Sequence, residues 1–172
     1  MKPSFALPCL ALLVAWPAEG AVFCVATSEA LQHALGVASM NGEDDSIRIR
    51  AGSYPAPPGG FRYLAQTLVG GDDRALTLSG GWQSLAGNGC GHVPVEDPWL
   101  TLLTGPTNGR VLDVQVRANS AVTVRLLSFA SGRAPPTQTG GGLRISGPET
   151  GLLASVTVER NVFFANESWY GG

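Results

Sequence analysis

The amino-acid sequence reads as an all-β solenoid led in by one short helix. Eight short runs with apolar residues at alternate positions follow one another between Gly, Pro, Asn and Ser punctuation, the pattern of half-buried strands. Two of them, VTVRLLSFASG from Val122 and VTVERNVFFAN from Val156, align at an offset of 34 residues. That spacing lies in the range at which stacked repeats bury their apolar edges against one another. No helical period separates the strands, so the stacked unit consists of strands alone. The composition agrees: 23 Gly and 12 Pro among 172 residues, with only 14% charged, supply many turns and few long helices. A β-sandwich is the alternative that short alternating strands also allow. The helix-first order, the 34-residue echo and the triplet Gly140 to Gly142 favour the solenoid.

Taken in order, residues 1–20 read as a secretory signal peptide. Lys2 charges the amino terminus, an apolar run from Phe5 to Trp16 follows, and Ala18 and Gly20 supply the small side chains of a cleavage site after Gly20. The run is shorter than the ~20 residues a membrane span requires, and Pro8 and Pro17 interrupt or bound it, so no stable membrane anchor is expected. The mature chain, residues 21–172, is long enough for one domain. Loss of the signal removes Cys9 and leaves Cys24 and Cys90 in an oxidising route, which predicts one disulfide between them, two buried free thiols being the alternative. The expected location is secreted, periplasmic or cell-surface.

Residues 28–40 place Leu31, Ala34, Leu35 and Ala38 on one helical face, with Ser28 as the expected N-cap, Asn41-Gly42 as the stop and His33 on the polar side. The strands follow as SIRIRAG, YLAQTLVGG, ALTLSGGW, WLTLLTG, VLDVQV, VTVRLLSF, GLRISG and SVTVERNVFF. One parity is apolar (Ile47 and Ile49; Leu76 and Leu78; Leu112, Val114 and Val116; Val122, Val124 and Leu126; Leu143 and Ile145; Val156 and Val158) and is expected to be buried. The other, which includes Arg48, Asp113, Gln115, Arg125, Arg144 and Glu159, is expected to be wet. Gly140 to Gly142 also has a fainter echo in Gly171-Gly172.

The succession FCVATSEALQHALGVASMNGEDDSIRIRAGSY, LTLSGGW with the following Cys90, GGGLRISG and VTVERNVFFANES resembles the amino-terminal region of secreted bacterial right-handed parallel β-helix proteins of the pectate-lyase-like architecture, from about Val22 to Gly172. The resemblance implies that the helix caps the first coil and that aliphatic ladders fill the core, Val122 over Val156 and Phe129 over Phe163. The family pattern continues for many coils. The chain therefore reads as incomplete at its C-terminus, with an open coil end that continues in a longer parent, associates with itself or docks on a partner.

The residues point to no reaction. A formal charge of −2 gives no electrostatic footprint for nucleic acid. His33, His92 and the cysteines show no metal-ligand spacing. Asp44-Asp45 and Asp72-Asp73 are adjacent pairs in Gly-rich turns, and neighbours on a strand point to opposite faces, so neither makes a calcium chelate. The outward residues Asp113, Arg125, Arg144 and Glu159 would, if stacked in one row, hold the acid, base and cation of a polysaccharide-cleaving site; a solvated face with weak ion pairs is the reading preferred. No G-x-S-x-G elbow occurs. Trp82, Trp99, Trp169 and Tyr170 are sugar-stacking candidates that core packing also explains, and Asn166-Glu167-Ser168 matches a glycosylation acceptor. No catalytic, cofactor-binding or metal-binding residue is assigned. The expectation is a non-enzymatic, adhesin-like secreted or surface β-helix whose flat sides bind a polysaccharide or a surface partner. The alternatives are a fragment of a polysaccharide lyase or hydrolase with its catalytic coils beyond Gly172, and a truncated product with no independent function.

Overall fold

The structure, a computed structural model, describes residues 20–65, 74–85, 89–117, 120–147 and 155–168. All of the expected signal except Gly20, together with Asp72-Asp73, Trp169, Tyr170 and Gly171-Gly172, lies outside them. In chain order come β1 (Val22–Val25), α1 (Ser28–Ala38), β2 (Asp45–Arg50), β3 (Gly52–Pro55), β4 (Phe61–Leu64), β5 (Leu76–Trp82), β6 (Thr101–Thr104), β7 (Leu112–Gln115), β8 (Ala121–Arg125), β9 (Ser128–Ala130), β10 (Leu143–Ser146), β11 (Ser155–Glu159) and β12 (Val162–Phe164).

Every ladder between these strands is parallel, in three sheets ordered β1-β2-β5-β8-β11, β3-β6-β9-β12 and β4-β7-β10. A sandwich is built from antiparallel sheets, so that alternative does not describe this chain. From β2 onward the chain visits the five-, four- and three-stranded sheets in turn and returns to the first every third strand, an order compatible with a β-solenoid.

Register explains the alternation read in the sequence. Phe23, Ile47, Leu78, Val124 and Val158 are successive partners in the five-stranded sheet; Tyr54, Leu103, Phe129 and Phe163 in the four-stranded; Phe61, Leu112 and Leu143 in the three-stranded. Ile47, Leu78, Val124, Tyr54, Leu103, Phe129, Phe61 and Leu112 are each at most 1% exposed, and burying each aliphatic or aromatic side chain contributes roughly 1.5 to 3 kcal/mol. The 34-residue echo is an actual pairing: Val122 lies beside Val156, and the Phe129 and Phe163 rings stack with centroids 4.9 Å apart.

The elements depart from the sequence reading in four respects. The N-cap of α1 is Thr27, whose extended backbone lets its Oγ1 accept from Ala30 N, while Ser28 is already helical. VTVRLLSF and SVTVERNVFF are each two strands of different sheets, because Leu126 and Arg160 take left-handed φ of 58° and 53° and turn the chain through a corner. YLAQTLVGG contributes only Tyr63 and Leu64 to the described strand β4. Val156 and Val158 are 46% and 45% exposed, since β11 is the outermost strand of its sheet among the described residues.

The two ends of the stack differ. Leu31, Ala34, Leu35 and Ala38 of α1 are buried against the first strands, and the Gln32 side chain bonds the backbone of β4. Asparagines fasten the last circuit to the one before it. Asn161 accepts from Leu127 N and donates to Val124 O; Asn166 accepts from Gly132 N and donates to Phe129 O. The Asn166 amide of the acceptor motif thus bridges two corners.

Between β5 and β6 the chain makes a long excursion containing an antiparallel bridge between Ser84 and Cys90 and a 3-10 turn at Pro98–Leu100. The Cys24–Cys90 disulfide ties it to β1, with the Cα atoms 5.6 Å apart. Gly81, at φ 75°, lets it depart, since a Cβ there would collide with the Val95 carbonyl.

Candidate functional site

Among the described residues, three groups of polar or aromatic side chains lie on the outward sides of the sheets, besides the exposed ion pair of Arg133 with Glu167 at 2.7 Å. On the five-stranded sheet the in-register row is Cys24, Arg48, Ser79, Arg125 and Glu159. Trp82 donates from Nε1 to Ser79 Oγ at 2.8 Å, and the Arg48 guanidinium lies 4.5 Å from its ring centroid. Trp82 is only 5% exposed, so its ring is packing rather than a ligand platform.

On the three-stranded sheet Arg62, Asp113 and Arg144 are register partners. The expected single row of Asp113, Arg125, Arg144 and Glu159 does not exist: Asp113 and Arg144 belong to this sheet, Arg125 and Glu159 to the other. The corner between β7 and β8 re-aims the chain, so equal parity in sequence does not mean one face. Asp113 is also not wet. It is 6% exposed, with Oδ2 between Arg110 Nη1 at 3.7 Å and Arg144 Nη1 at 3.5 Å, while Oδ1 is buried with no hydrogen-bond partner among the described residues. Arg110, equally buried, donates from Nε to Thr139 O and from Nη2 to Gln138 Oε1. Burial pushes its pKa down, Asp113 opposes that shift, and Arg144 adds to it. The cluster fastens the 131–142 connection onto the sheet.

The third group is on the surface of the four-stranded sheet. Trp99, 60% exposed, leans on Phe164, 39% exposed, with ring centroids 5.4 Å apart and planes at 42°. Next along these two segments, Arg160 Nη1 pairs with Glu96 Oε1 at 2.6 Å, and Asp97 Oδ1 accepts from Trp99 N at 2.9 Å. Asp97 caps the turn that raises the Trp99 ring from the excursion, and the corner at Arg160 brings Phe164 outward to meet it. Among the described residues the result is a partly exposed aromatic pair and an ion pair linking the same two segments, which suits a ligand with one apolar face and several hydroxyls.

Of the residues singled out by sequence, Trp99 belongs to this surface, Trp82 is core, and Trp169 and Tyr170 lie outside the described residues. Phe164 has no signal in the sequence because SVTVERNVFF reads as one strand; a corner at Arg160-Asn161 resets the parity and puts Phe163 in and Phe164 out. Asp44 and Asp45 serve the turn, accepting from Ala75 N and Asn41 Nδ2. His33 and His92 are exposed. Among the described residues no three His, Cys, Asp or Glu side chains gather as metal ligands, and no helix is long and apolar enough to cross a membrane.

Fold and site together define a disulfide-linked chain of three parallel β-sheets carrying an exposed aromatic pair beside an ion pair. Comparisons with family models, with curated proteins and with solved structures find no match.

Proposed function

We propose that this chain is a secreted or surface-displayed, non-enzymatic protein of right-handed parallel β-helix architecture, resembling the pectate-lyase-like family, and that it adheres to glycans. The exposed Trp99–Phe164 pair beside Glu96–Arg160 carries the reading. A hexose presents an apolar ring face to an aromatic side chain and its hydroxyls to a charged rim. Of the two carboxylates in this segment, Glu96 pairs with Arg160 and one oxygen of Asp97 accepts from Trp99 N. Titration calorimetry against neutral and acidic oligosaccharides tests this. Binding that Trp99→Ala weakens at least about tenfold, with the melting temperature retained, supports the reading. Undiminished binding by that variant, or release of cleaved sugar from any polysaccharide offered, overturns it.

A further inference from the structure

Asparagine is followed by glycine at Asn41-Gly42, Asn88-Gly89 and Asn108-Gly109. A glycine has no Cβ to keep its backbone nitrogen away from the preceding side-chain amide, so such a pair reacts with itself without an enzyme. Asn88 lies outside the described residues; the other two pairs are the same dipeptide held in different ways. Asn41, half-buried beyond the end of α1, has both ends of its amide tied: Oδ1 accepts from Glu43 N at 3.1 Å, and Nδ2 donates to Asp45 Oδ1 at 2.9 Å. Asp45 is itself buried at the start of β2, which anchors the tie. Asn108 stands exposed in the turn between β6 and β7. Among the described residues neither its side-chain amide nor Gly109 N is hydrogen-bonded.

We infer that Asn108 is a site of spontaneous deamidation in the folded chain and that Asn41 is shielded from the same reaction. Once the Gly109 amide gives up its proton, its nitrogen attacks Asn108 Cγ. The new N–Cγ bond closes a five-membered succinimide, the Cγ–Nδ2 bond breaks, and Nδ2 takes up a proton and leaves as ammonia. Water then opens the ring at either carbonyl. Opening at Cγ leaves aspartate at position 108; opening at the main-chain carbonyl leaves isoaspartate, whose backbone runs through the side chain and is longer by a methylene. That extra length falls beside a tie between successive circuits, since Gly109 O accepts from Arg133 N at 2.8 Å. Isoaspartate at this position loosens the tie.

The test is peptide mapping by mass spectrometry after the full chain has stood at mildly alkaline pH, each conversion being located by the exchange of NH2 for OH. Asn108 is expected to convert at least about tenfold faster than Asn41, the factor that two modest hydrogen bonds place on a barrier. In urea with the disulfide reduced, the two pairs are expected to convert at similar rates, which assigns the difference to the fold. Asn108→Gln, whose longer side chain closes a five-membered ring no more, is expected to stop conversion there and to match the fresh parent in urea midpoint. After ageing, the parent is expected to unfold at lower urea than the equally aged variant, which still carries the other two pairs. Equal rates at Asn41 and Asn108 in the folded chain, or conversion of Asn108 only in urea, would overturn the site; equal midpoints after ageing would overturn the loosening.

Discussion

The side-chain amide of Gln32 pairs with the backbone of Arg62 as a neighbouring strand would: Nε2 donates to Arg62 O at 3.1 Å, and Arg62 N donates to Oε1 at 3.0 Å. In this way α1 satisfies the free edge of β4, the first strand of the three-stranded sheet. Gln32→Ala removes both bonds and is expected to lower the unfolding free energy by about 1 to 2 kcal/mol. Gln32→Glu keeps the acceptor but turns a carboxylate oxygen toward the Arg62 carbonyl, so it recovers no more than part of that loss. Urea denaturation at neutral pH checks the order; an alanine variant as stable as the parent would remove Gln32 from the account of the cap.

Much of this fold is legible in the sequence because its repeating unit is a register of side chains. The offset linking Val122 to Val156 and Phe129 to Phe163 is the same spacing that pairs β8 with β11 and β9 with β12. Three features were hidden for identifiable reasons. β3 contains Gly52 and Pro55, poor strand residues that serve at an edge or turn, and only Tyr54 of its four residues points into the core. The corners at Leu126 and Arg160 place positive φ on residues that rarely take it, so no Gly or Asn at the left-handed position announces the turn, although Asn161 follows the second. The excursion between β5 and β6 breaks the period, and with it the sequence loses sight of the contact it makes, Trp99 on Phe164. A site assembled between an insertion and a corner has no spacing to read.

The Cys24–Cys90 bond closes a long loop, at a sequence separation of 66, and fixes the excursion to β1. In the chain-entropy account such a cross-link contributes about 4 kcal/mol by restricting the unfolded chain. Replacing both cysteines by serine is therefore expected to reduce stability by roughly that amount. Reductant should produce the same loss in the parent and none in the variant. A parent whose denaturation midpoint ignores reductant contradicts the contribution.

Asp113 and Arg110 are both 6% exposed, so removing one leaves the other buried without its counter-charge. Asp113→Ala is expected to cost about 3 to 5 kcal/mol. Arg144→Met, at a side chain 36% exposed and only 3.5 Å from the same carboxylate oxygen, is expected to cost about 1 kcal/mol or less. Chemical denaturation of the two variants separates a buried pair from a surface one. Equal losses would mean that Arg144, not Arg110, neutralises Asp113.

Tyr54 supplies a pH signature. Its ring is 1% exposed in the core row of the four-stranded sheet, and its hydroxyl donates to Arg50 O at 2.8 Å and to Val25 O at 3.3 Å. Burial pushes the phenol up to about 12 from its ordinary 10.0, against a small opposing pull from Arg50. The neutral form is the one that donates, so between these two values the folded chain holds a proton that the unfolded chain has lost. Stability from this group is complete below pH 10 and is lost as pH rises through about 12. The full shift corresponds to about 2 to 3 kcal/mol. Tyr54→Phe is expected to be less stable at neutral pH, because two backbone carbonyls lose a donor, and to show a flatter decline between pH 10 and 12. Urea midpoints measured from pH 8 to 12 for the parent and the variant decide the matter: parallel curves over the alkaline range would mean that another group, and not the Tyr54 phenol, governs the alkaline transition.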